Sequence, residues 1–358
     1  MKKKKKKIII FSIIGTLLTI IAVVAIYFIV EINKDPVKLK DIDAKYQTTL
    51  IEAPNDGKLP TEHSATDVIA YTLYNVANCK EFKVITKGKA DASVVTQKIA
   101  NERVIKNGSA MISTISSGMI SLGTQRFYFP QIEDKVLARS AKKINNTTAT
   151  WNTDKNPECV TYKEMQRRYG WHPFQANGYI ICDDTYLNKE DIIVEDNNDG
   201  TYSINFHLDP AGDKAPFWYR REIITSSGST IVPKFKKIEI TFTIDKNYTL
   251  LEQAIKETYV VKAKGVEAET KTNVVDTFTY DDVQFNQEYY DWFMKYKSLE
   301  PIKDSSSDDE IQVKEDDIAS MIVSSLQNEE NKDVNLDLNI KFNDINIFIF
   351  IIIINYRY

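Results

Sequence analysis

Cysteine and histidine are scarce, three of each, and the 358 residues include only 12 glycines and 10 prolines. So little cysteine excludes a scaffold stapled by disulfides, and so little glycine and proline excludes a collagen-like or proline-rich repeat. His63, His172 and His207 are far apart in sequence, with no H-x-x-x-H or H-E-x-x-H spacing to turn two imidazoles toward one metal. There is no G-x-S-x-G elbow, and no cysteine stands in a protease context, so nucleophilic catalysis by those routes finds no support. An overall excess of positive charge is missing too. Lys2 to Lys7 supply six positive charges to a chain of net charge −4, so the rest is more acidic than the average suggests. A duplex binder needs a positive face to displace counterions, and nucleic acid is not expected as a partner. No catalytic residue, metal or cofactor is implied, and the protein is expected not to be an enzyme.

What is present begins with the one long apolar run. Ile8 to Val30 is interrupted only by Ser12, Gly15, Thr16, Thr19 and Tyr27. At about 1.5 Å per helical residue, it spans the ~30 Å hydrocarbon layer. Residues 8–30 therefore read as a single-pass transmembrane helix. The preceding lysines (1–7) stay cytoplasmic by the positive-inside bias, which places the rest of the chain outside the cytoplasm. A cleaved signal peptide is the competing reading, but cleavage after Val23-Val24-Ala25 would leave Ile26 to Val30 as an exposed apolar terminus. In that compartment Cys159 and Cys182 can pair and leave Cys79 on a helix. The alternative is three unpaired thiols, since no closely spaced metal-type pair exists among them.

Residues 31–60 are polar, contain Pro36, Pro54 and Gly57, and read as a stalk. An extracytoplasmic α+β domain follows over 61–297. Ser64 and Asp67 have capping spacing before Ile69, Leu73 and Val76, which marks a helix of about 66–79. The period then changes to two through Phe82–Thr86, Val94–Val104, Ala110–Ile120 and Gln125–Phe129, separated by Gly88, Asn107-Gly108 and Gly123. These connections are too short for crossover helices, so the sheet is an antiparallel meander. A helix over Val160–Tyr169 stops at Gly170, a hairpin joins Ile192–Val194 to Tyr202–Phe206, and a short helix runs from Pro216 to about Ile224. Strands return over 236–280, with one face apolar and the other wet. The last helix, Gln287–Lys297, carries Tyr289, Trp292, Phe293 and Tyr296 on one stripe.

Residues 298–313 form an acidic linker, and 314–358 repeat the order helix then strand, like the start of a second copy of the opening unit. Such a unit cannot bury its own apolar faces. The run Ile347–Ile354 leaves two readings open, a genuine terminus or a truncated frame.

Candidate chemistry is thin. Glu195, Asn197, Asp199 and Gly200 resemble half of a calcium loop, but position 12 of that frame is Phe206, so a hairpin turn is the better reading. Asp183-Asp184 and Asp281-Asp282 are carboxylate pairs of the kind a hydrolase uses, although adjacency in sequence does not set the ~5–9 Å separation such chemistry needs. The aromatic residues of the two helical insertions are the better candidates. Tyr169, Trp171, Phe174, Tyr179, Phe217 and Trp218 could line an apolar groove between sheet and helices, or simply pack on the sheet.

One N-terminal helix, a long meander and helical insertions over one face together resemble the bacterial lipoprotein-carrier superfamily. The stretches that carry the likeness are Ser64–Phe129 and Lys236–Tyr280, under half of the chain. That resemblance implies a curved, half-barrel-like antiparallel sheet with helices covering one face and an acyl chain sheltered in the concavity. The transmembrane anchor, the Gly170-Trp171-His172-Pro173 insertion and the fragmentary second unit depart from the family pattern. Transport between membranes is therefore not carried over. The expected partners are the membrane and a lipid or another envelope protein.

Overall fold

β-branched and aromatic residues alternate from Phe82 to Thr86 and again in later stretches, and the chain answers with strands. The computed structural model describes residues 34, 37 and 46–302, apart from 93–94, 119–120, 132, 154–155, 212–213 and 264. The expected anchor (8–30) and the expected second unit (314–358) lie outside the described residues. Among the described residues no helix is long and apolar enough to cross a membrane.

Five strands form the first meander: β1 (Glu81–Ala92), β2 (Val95–Lys106), β3 (Ser109–Ser117), β4 (Leu122–Tyr128) and β5 (Lys135–Asn145). Two short strands, β6 (Thr148–Trp151) and β7 (Glu158–Thr161), share the outer edge of β5. The second meander comprises β8 (Tyr186–Leu187), β9 (Val194–Asp196), β10 (Thr201–Leu208), β11 (Lys234–Asp245), β12 (Leu250–Ala263) and β13 (Val266–Thr279). All pair antiparallel in one open sheet of order β6-β5-β4-β3-β2-β1-β13-β12-β11-β10-β8. The two meanders are joined by the β1–β13 ladder, which runs from Lys83↔Thr279 to Ala92↔Thr270.

Four α-helices complete the α+β architecture: α1 (Ala65–Asn78), α2 (Tyr162–Tyr169), α3 (Phe217–Ser227) and α4 (Gln287–Tyr296). Ser64 caps α1 by accepting from the Asp67 amide. Thr161 caps α2 through the Glu164 amide, so α2 starts two residues later than the apolar pattern indicates.

Register decides what each face carries. Phe82, Ile105, Ile112 and Val136 point to the face beneath α1, α2 and α3, where the larger core lies. Their alternates Met111, Phe127, Phe129 and Leu137 point the other way and form a second core with Trp292 and Phe293 of α4. The expectation that helices cover one face is thus corrected, because α4 wraps around to the opposite side. A strand pattern apolar at both phases requires a cover on both faces. Covered on both sides up to Ala141, β5 has no clean alternation there, and the sequence around it shows no strand signal.

Two glycines expected as strand separators lie inside strands. Gly88 is paired within β1, and Gly123 within β4. At Gly88 an added Cβ would fall on Asn273 O and the Val274 backbone, so the missing side chain is what lets β13 approach. The segment from Tyr46 onward, expected as part of the stalk, lies against the domain. Thr49 N donates to Ile181 O (2.8 Å) and Ile51 N to Ala70 O (3.4 Å).

Gly88→Val should lower stability by about 1–3 kcal/mol through overpacking at the joint between the meanders. Urea denaturation measures this, and an unchanged midpoint would show that the β1–β13 contact can relax around the added side chain.

Candidate functional site

Gly170 ends α2 in the left-handed conformation (φ 56°), and an added Cβ there would strike the Trp218 carbonyl. The chain then crosses the larger core face as an irregular segment, Trp171–Cys182, before reaching β8. Trp171, Ala176, Tyr179 and Ile181 fill the core. Irregular backbone in such a place needs partners, because an unpaired buried amide or carbonyl is costly. Arg103 of β2 supplies three, donating to the carbonyls of Pro173, Gln175 and Ala176 at 2.5–3.2 Å.

Other partners come from polar residues at inward positions of the sheet. The register aligns Asn101 (β2), Thr86 (β1), Asp276 (β13) and Gln253 (β12) in one row across four strands. Asn177 of the crossing segment donates to Gln253 Oε1 (2.7 Å), and Gln253 Nε2 donates to Asp276 Oδ2 (2.8 Å). Four residues along β12, Glu257 accepts from the hydroxyls of Tyr179, on the crossing segment, and Tyr219, on α3. Burial pushes the Glu257 and Asp276 carboxyls up from the ordinary range, and in Asp276 the nearby Arg103 opposes the rise.

Above the crossing segment lies a cleft of about 620 Å³, within the size range of small-molecule sites. Its walls are the Tyr46–Leu50 strap, Leu73 and Ala77 of α1, Phe174 and His172 of the crossing segment, and Trp218 at the start of α3. His172 meets Trp218 edge to face at 4.8 Å, and its Nδ1 accepts from Gln166 Nε2 (3.1 Å). Burial drives its pKa down to about 4, so the wall presents a neutral imidazole at physiological pH. The two buried carboxyls do not line this cleft.

The six aromatic residues singled out from the sequence separate into three pairs. Phe174 and Trp218 line the cleft. Trp171 and Tyr179 are buried in the core at 6% and 4% exposure. Tyr169 lies under the Arg126 guanidinium (4.4 Å), and Phe217 beside that of Arg221 (5.3 Å). The calcium-like loop is a hairpin turn in which Asp199 accepts from the Thr201 amide and hydroxyl. Asp183-Asp184 are exposed at the start of a 3-10 turn (Asp183–Thr185), and Asp281-Asp282 are exposed on a loop. All three cysteines are free thiols: Cys159 lies in the second core beside α4, and Cys182 ends the crossing segment.

Arg103, Gln253, Glu257 and Asp276 were not apparent as a group in the sequence. The signal was a break in phase. Glu257 sits in step with inward Ile255 and Tyr259, and Asp276 with Val274 and Phe278.

Glu257 should leave a pH signature in stability. Its raised folded pKa means that, between the ordinary carboxylate value and the folded one, the native state binds more protons than the unfolded chain. Stability therefore falls as pH rises through that window and levels off above it. Glu257→Gln removes this component, so the variant should gain on the wild type as pH rises, while Asp276 contributes equally to both. Denaturant titrations across pH 4–8 measure the difference, and a pH-independent gap would mean that Glu257 titrates normally.

No family model matches any part of the chain, and no curated protein matches it. Among solved structures, a crystal structure of a DUF1329 family protein from Desulfovibrio piger aligns with 65% of this chain and 98% of its own, at 10% identity and a TM-score of 0.25.

Proposed function

We propose that the protein is held in the cell membrane by residues 8–30 and presents its α+β domain outside the cytoplasm as a non-enzymatic binding domain. The ligand would be a lipid or a lipid-linked envelope component, with its apolar part in the cleft beside Phe174 and Trp218. The observation that carries this proposal is the cleft itself. It is mostly apolar, it is large enough for part of an acyl chain, and it is bounded by a neutral imidazole and the polar groups of the Tyr46–Leu50 strap. The driving force is apolar burial, roughly 25 cal/mol per Å². A half-barrel curvature of the sheet belongs to the same proposal.

A second reading has an observation in its favour. The crossing segment already fills the inner face of the sheet, with Trp171 and Tyr179 packed into the core. A domain whose interior is occupied by its own chain suits a structural or sensory module that contacts another envelope protein.

Brominated fatty acid added to the full chain in detergent separates the two readings. Binding in the cleft should quench Trp218, and Trp218→Phe should remove most of the quenching while Trp171, Trp151 and Trp292 keep their emission. If quenching is absent, or the same in wild type and variant, the cleft is not an acyl site and the interaction-module reading stands.

A further inference from the structure

The strand connections fall at two ends of the sheet, and the two ends differ in charge. One end carries the β2–β3, β4–β5, β9–β10 and β11–β12 turns. Its exposed acidic residues include Glu133, Asp134, Asp196, Asp199, Asp281 and Asp282, which outnumber the exposed Lys80 and Lys246 there. The other end carries the β5–β6 and β12–β13 turns and the Ser229–Lys234 segment, which is tied to the latter by Thr230 N donating to Lys262 O (2.7 Å). Lys98, Lys142, Lys143, Lys234 and Lys271 are exposed there. Of the described acidic residues at this end, Asp91 is paired with Lys89 (3.0 Å), Glu269 with Lys236 (2.5 Å) and Lys271 (3.8 Å), and Asp183 with Lys189 (3.3 Å), which leaves Asp184, Asp209 and Glu267. Val232 and Val266 project from the same end, 40% and 44% exposed.

The N-terminal chain arrives at this basic end, where Val37 N donates to Ser229 O (2.9 Å). Val37 is seven residue steps beyond Val30, the last residue of the apolar run. Fully extended, they reach about 25 Å. A strand as long as β12 spans 14 residues, roughly 45 Å at about 3.3 Å each. If residues 8–30 are in the bilayer, only the Ser229 end is held near it by the tether.

We propose that this end of the sheet rests on an anionic phospholipid bilayer, with the exposed lysines at the headgroups and Val232 and Val266 at the interface. The proposal rests on the membrane anchor proposed above and adds the orientation of the domain. Lysines near an anionic surface attract it over about a Debye length, and the acidic far end is repelled. The docked orientation keeps the acidic turns outermost.

The test uses the full chain in lipid nanodiscs, either pure phosphatidylcholine or one-third phosphatidylglycerol, with amide hydrogen exchange read by mass spectrometry. Amides around the β12–β13 turn, Ser229–Lys234 and the β5–β6 turn should exchange several-fold more slowly in the anionic discs. Those at Asn107-Gly108, Asn197–Gly200 and Asp245–Thr249 should not change. High salt should abolish the difference, as should the variant K98E/K142E/K143E/K271E, whose substitutions are all at exposed positions. Equal exchange in both lipids, or slowing at the acidic end, overturns the orientation while the anchor stands. A chain that stays outside the discs overturns the anchor and the orientation together.

Discussion

Every buried peptide group must find a partner, and the Trp171–Cys182 segment must meet that requirement without a strand or helix ladder of its own. Its peptide groups are met by Arg103, which takes three of its carbonyls, and by Thr48, Thr49 and Ala215, while Gln253 takes the Asn177 side chain and Glu257 the Tyr179 hydroxyl. Arg103, Gln253 and Glu257 stand at inward positions of β2 and β12, strands that neighbour one another only through β1 and β13. The joint at Gly88 therefore matters beyond local packing. It sets the lateral spacing of the polar row, and with it the place of the segment that forms the cleft wall.

The opposite face meets a parallel demand with different residues. Arg139 is buried there beneath α4, donating to Gln125 Oε1 (2.5 Å), with its guanidinium 4.3 Å from the Trp292 ring. Burial lowers its pKa to about 10, which still leaves it charged at physiological pH. The aromatic stripe of α4 thus both closes the second core and shields a buried cation.

Much of this was legible along the chain wherever local chemistry acts alone. The Ser64 cap, the Gly170 stop, the Asn107-Gly108 turn, the Asn197–Gly200 turn and the α4 stripe are decided within a few residues, and all stand where the sequence indicates. The elements that depart from the local pattern are those whose environment is distant in sequence. Gly88 looked like a separator because its reason for being glycine is a strand nearly 190 residues away. The first part of β5 carries no alternation because both of its faces are covered as far as Ala141. Of the six candidate aromatics, two reached the cleft and four did not, since an aromatic residue in an insertion carries no mark that distinguishes core from wall.

What the sequence alone determined is the alphabet of elements: the capped helices, most strands, their antiparallel connections, and the apolar run with its basic flank. These follow from hydrogen bonding and periodicity over distances of a turn or a strand pair. The pairing of β1 with β13, the transfer of α4 to the second face, and the gathering of Arg103, Gln253, Asp276 and Glu257 beneath one irregular segment were decided by tertiary structure. Only when the sheet is assembled do residues far apart in the chain come into one row, where burial makes each polar group take the partner that register places beside it.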